Sequence, residues 1–121
     1  MCCFVGLCRY WHLVAHPEDY YQQLVQHPEL APMHFATVID RDIPRTFGGM
    51  DLRGRPMEVV QAQLRRVLYA YASRNPVLGY CQSMNFLAAF FLVHMGADEQ
   101  TVFWLLAACV ERIAPDYYVS F

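Results

Sequence analysis

An arginine and a glutamine carry the chemistry that this chain has to offer. Arg45 lies in the run Ile39-Asp40-Arg41-Asp42-Ile43-Pro44-Arg45-Thr46, and Gln82 in Tyr80-Cys81-Gln82-Ser83-Met84-Asn85. Each is expected on a short loop-like stretch beside a helical segment. A guanidinium offsets charge developing on phosphate oxygens, and a carboxamide orients an attacking water. The pair is therefore suited to hydrolysis of a nucleotide held by another protein, that is, to catalysis in trans.

The neighbouring residues suggest how each side chain is presented. Pro44 fixes a backbone angle before Arg45, and the Thr46 hydroxyl can tie down a turn after it. In the i, i+3, i+6 spacing, Ile39 is expected to anchor the segment in the core while Asp42 pairs with Arg45 and holds it extended. The alternative is a plain surface ion pair between Asp42 and Arg45, worth at most about 1 kcal/mol. Gln82 stands where the Gly79 turn runs into an apolar stretch, so its amide either faces a cleft or bonds loose backbone amides at a helix start. Tyr80 is expected to be structural, its ring packed and its hydroxyl bonded. Asn85, three residues after Gln82, is placed on the same helical face, where it would brace the glutamine or satisfy a buried carbonyl.

Other chemistries find little support. The histidines and the five cysteines show no metal-ligand spacing, so no metal site is expected. Cys81 lacks an indicated base, and Gly48-Gly49 is not followed by the lysine and hydroxyl residue of a phosphate-cradling loop. The chain is expected to bring catalytic side chains to a nucleotide that it does not itself bind. A net charge of -2 gives no basic footprint for nucleic acid or an anionic membrane surface. The scattered, odd-numbered cysteines suggest reduced thiols in the cytoplasm, and no apolar run reaches the roughly 18 residues of a membrane span.

Helices must position the two side chains. Val60, Leu64, Val67, Leu68 and Tyr71 form one apolar stripe, which predicts a helix over 56–73 opened by Pro56 and stopped by Asn75-Pro76. A second, strongly apolar helix is expected over 82–95, closed by Gly96 and buried at the centre of the fold. A third is expected over 99–113, with Asp98 as N-cap, and a shorter one over 17–26, after a helical piece near Trp11. Residues 28–54, with their prolines and glycines, form the least periodic part, where a functional loop is expected. No alternating strand pattern interrupts this, so the class is all-α. A hydrophobic fraction of 56% against 17% charged residues is high for 121 residues and suggests apolar surface that expects a partner.

The I-x-x-D-x-x-R of Ile39, Asp42 and Arg45, followed by the Y-x-Q of Tyr80 and Gln82, resembles the two signature motifs of the TBC-domain family, GTPase-activating proteins for Rab GTPases. The resemblance implies an irregular helical domain of which residues 11–121 are the N-terminal part, truncated on its C-terminal side, with an atypical segment over 1–10. It implies Arg45 and Gln82 as arginine and glutamine fingers, supported by Ile39, Asp42, Thr46, Tyr80 and Asn85. GTP and Mg²⁺ would be carried by the partner Rab, the chain needing no cofactor of its own. Its role would be in vesicle traffic, in the cytoplasm, with peripheral recruitment to endomembranes through the Rab. The competing expectation is a truncated, catalytically inactive helical module that binds a Rab or another partner. Departures from the family pattern are Arg9 two residues before Trp11 rather than four, Gly48-Gly49 where proline is common, and Ser83 where glycine is common.

Overall fold

The computed structural model describes residues 19–96 and 98–113, and these are helical with no strand among them. The expected helical piece near Trp11 and the segment 1–10 lie outside the described residues. The elements are α1 (Tyr20–Gln26), a short 3-10 turn (Pro28–Leu30), α2 (Met33–Thr46), α3 (Met57–Arg74), α4 (Met84–Val93) and α5 (Glu99–Ala108), the last widening into a π-helical turn over Cys109–Ile113.

The centre is α3, which lies against α1, α2, α4 and α5. Its predicted stripe of Val60, Leu64, Val67, Leu68 and Tyr71 is fully buried. Toward its C-terminus the helix is enclosed on all sides, since Val67 to Ala72 are buried consecutively. Pro56 stands just before the first turn, where its carbonyl accepts from the Val59 and Val60 amides. Asn75 ends the helix, and the turn it starts is closed by the Gly79 amide bonding to the Asn75 carbonyl at 2.6 Å. Gly79 is required twice over: its φ is +63°, and a Cβ there would run into the Phe35 ring.

Three expectations need correction. The central helix is α3 rather than α4, because α4 keeps Phe86 and Phe90 half exposed along one side. Asp98 does occupy the N-cap position of α5, yet its carboxylate caps no backbone amide and instead accepts from the Thr101 hydroxyl. Residues 28–54 are not a loop, since α2 takes up 14 of them. Its buried face is Ile39, Asp42, Ile43 and Thr46, an i, i+3, i+4, i+7 set with correct helical period. Half of that face is polar, so a search for apolar periodicity passes over it, and Pro44 inside the helix reinforces the misreading.

Candidate functional site

Arg45 occupies the last turn of α2 rather than a loop. Because Asp42 and Thr46 turn inward, Arg41, Pro44 and Arg45 turn outward and are exposed. Pro44 lies inside the helix and has no N–H to give the Asp40 carbonyl, so this last stretch of α2 lacks one backbone bond. Phe47, buried to 1%, then pins the chain immediately after the turn.

Asp42 does not pair with Arg45. Its carboxylate is buried and accepts a hydrogen bond of 2.7 Å from the Tyr80 hydroxyl, on the segment that carries Gln82. The nearest cation is Arg41, whose Nε lies 3.8 Å away on a largely solvated side chain. Burial first, and then the bond to Asp42, push the Tyr80 hydroxyl well above the usual phenol range, so it remains a donor. Among the described residues, Arg45 makes no side-chain hydrogen bond or ion pair.

Gln82 lies in the turn before α4 and is exposed, likewise without a side-chain hydrogen bond among the described residues. α4 begins two residues later than expected, at Met84, because Ser83 has a φ of +99°. A left-handed residue breaks the helical register, so Gln82 and Asn85 do not share a face: the one is exposed, the other 2% accessible. Asn85 neither contacts the glutamine amide nor simply fills a carbonyl. Its Nδ2 donates to Thr46 Oγ1 at 2.8 Å, and its Oδ1 accepts from the Ser83 amide at 3.1 Å. Thr46 in turn donates its hydroxyl to the Asp42 carbonyl at 2.7 Å.

Apart from tyrosines, the polar residues buried among those described are Asp42, Thr46 and Asn85. All three belong to this one chain of hydrogen bonds, which runs from Tyr80 through α2 to Ser83. Ile39, on the same face of α2 as Asp42 and Thr46, is fully buried in the core. The site therefore consists of two exposed, unengaged side chains on either side of a buried, satisfied polar seam. Such an arrangement fastens the two segments to each other and leaves a guanidinium and a carboxamide exposed, at the cost of burying polar groups that must all be paired. Sequence reasoning missed the left-handed Ser83 and the double role of Asn85; a lone asparagine in an apolar run was the available signal.

Elsewhere, Arg65 and Arg66 are surface residues engaged by carboxylates, Arg65 with Asp40 and Arg66 with Glu99. Cys109 is half buried, and burial pushes its thiol upward, as it does for Cys81. No group of three His, Cys, Asp or Glu side chains among the described residues is placed to hold a metal ion.

The all-helical fold of the described residues falls in a known class. The chain belongs to the Rab-GTPase-TBC domain family, which matches it over residues 9–120. It is 39% identical over 100 residues to TBC1 domain family member 2A of Ailuropoda melanoleuca, covering 82% of this chain and 11% of that protein. To growth hormone-regulated TBC protein 1 of Xenopus laevis it is 40% identical over 82 residues, 67% of this chain and 24% of that one. Among solved structures it is similar to the crystal structure of the Chlamydomonas flagellar RabGAP TBC domain, with a TM-score of 0.72 and 31% identity. That likeness covers 87% of this chain and 34% of the other, so the chain spans about a third of the solved neighbour and less of the two relatives.

Proposed function

We propose that this chain accelerates GTP hydrolysis on a Rab-family GTPase, with Arg45 and Gln82 acting in trans. Arg45 offsets charge developing on the phosphates, and Gln82 orients the attacking water, a task otherwise done by a glutamine of the GTPase. GTP and Mg²⁺ belong to the Rab. The observation that carries the proposal is the pair of exposed, unengaged side chains flanking one buried polar seam, on a fold whose family matches most of the chain. The role so assigned is in vesicle traffic, with recruitment to membranes through the Rab; no helix among the described residues is long and apolar enough to cross a membrane.

The test is single-turnover hydrolysis by a panel of Rabs, each in its natural form and with its own catalytic glutamine replaced. A glutamine-substituted Rab should remain responsive to the chain and lose that response when Gln82 is changed to alanine. Binding without any stimulation would instead make the chain an interaction module. Normal activity of Gln82→Ala on an unmodified Rab would remove Gln82 from the mechanism and leave Arg45 alone.

A further inference from the structure

The residues immediately after Arg45 and Gln82 are held by a single side chain. Thr46 follows Arg45 and accepts from Asn85 Nδ2; Ser83 follows Gln82 and its amide donates to Asn85 Oδ1. We infer that Asn85 is a positioning residue that sets the direction and spacing of Gln82 relative to Arg45, an inference that rests on the functional proposal above. Its amide carries a donor and an acceptor on the same rigid plane, so the two bonds fix each other's geometry. Burial to 2% removes competing water from both.

Ser83 gives the clamp its second purpose. At φ +99° and ψ -24° the serine is held in a region that side-chain-bearing residues avoid. Such a conformation persists only where surrounding contacts over-determine it. The Asn85 bond to the Ser83 amide is one such contact, and the Ser83 carbonyl is held from the other side by the Leu87 amide at 3.1 Å. Without Asn85 the turn is free to relax toward an ordinary backbone angle and swing Gln82 away. Reacting groups misplaced by about 1 Å can lose on the order of 10²-fold in rate.

Asn85→Ala is therefore expected to lower the maximal stimulated hydrolysis rate by about 10- to 100-fold, with little change in the Rab concentration that gives half the maximum. In a Gln82→Ala background the same substitution should add almost nothing, because the residue it positions is gone. Thr46→Val, which keeps the shape and removes the hydroxyl, should act in the same direction, and Thr46→Ser should restore the rate. Amide hydrogen exchange supplies a readout independent of activity: Asn85→Ala should speed exchange at Ser83 while the α3 core stays protected. A wild-type chain that stimulates no Rab would refute the activity and leave this inference to the exchange measurement. Unchanged exchange at Ser83, a loss expressed only in half-saturation, or an undiminished effect in the Gln82→Ala background would each overturn it.

Discussion

Four tyrosine hydroxyls among the described residues donate to carboxylates, and the pairs divide into two kinds. Tyr21 with Glu99, Tyr69 with Asp40, and Tyr71 with Glu111 each have an arginine closing the group, namely Arg66, Arg65 and Arg74. Arg66 and Arg74 do so through two parallel hydrogen bonds of 2.8 to 3.0 Å. The fourth pair, Tyr80 with Asp42, has two arginines close by in sequence and uses neither in a hydrogen bond. Where the fold ties helices together, arginine is consumed internally. Where α2 meets the Gln82 turn, the polar groups are satisfied by neutral partners, Tyr80, Thr46 and Asn85, and the guanidinium of Arg45 is left outside.

The most severe break in this comparison comes from exchanging the two kinds of arginine. Arg45→Ala should reduce stimulation of a Rab by about 10³- to 10⁵-fold, the range of an arginine finger, and leave the unfolding midpoint unchanged. Lysine should substitute poorly, since it lacks the planar fork. Arg74→Ala should do the reverse, costing about 2 to 3 kcal/mol of stability because it strands Glu111 in a half-buried site. Urea titrations of both variants beside hydrolysis assays separate the two effects. A destabilised Arg45→Ala, or a catalytically dead but fully stable Arg74→Ala, would erase the division.

Alkaline pH tests what the pairs have in common. Burial is the leading cause that raises the hydroxyls of Tyr21, Tyr71 and Tyr80, reinforced by their carboxylate partners. The folded state keeps these protons while the unfolded chain releases them near pH 10. Stability is thus fully present below about pH 10 and falls as pH rises above it, by at most about 1.4 kcal/mol per unit for each tyrosine. Solvent near the hydroxyls makes the true slope smaller. Unfolding midpoints followed from neutral pH to about pH 11.5 should show this decline, and Tyr80→Phe should flatten it. A midpoint that ignores pH across that span would mean the hydroxyls ionise equally in both states.

The same division explains what could be read from the sequence. The α3 stripe was legible because hydrophobic burial alone decides it, and every residue from Val60 to Tyr71 in the predicted set is buried. The types and order of Arg45, Tyr80 and Gln82 were legible through the family motifs. α2 was not, since two of its four inward positions, Asp42 and Thr46, are polar and are buried only because Tyr80 and Asn85 come to meet them from a distant part of the chain. The Asp42 pairing went astray for the same reason: local spacing offers Arg45, whereas tertiary packing offers Tyr80. The start of α4 is displaced by Ser83, whose left-handed backbone a serine itself does not announce; the signal was the glycine common at this position in the family.

Ser83 also provides the smallest and most pointed prediction. Glycine at this position would remove a backbone penalty of about 1 to 3 kcal/mol for a side-chain-bearing residue at positive φ. Against this, glycine gains about 0.4 to 1 kcal/mol of freedom in the unfolded chain. The net expectation for Ser83→Gly is a gain of about 1 kcal/mol, read as a higher urea midpoint. Ser83→Val, with a β-branched side chain in the same backbone region, should lose stability by at least as much. The two substitutions bracket the serine, and their order is the test. If valine is tolerated as well as glycine, the turn is not held left-handed in solution, and the seam between Arg45 and Gln82 ends at Asn85 instead of reaching the glutamine-bearing turn.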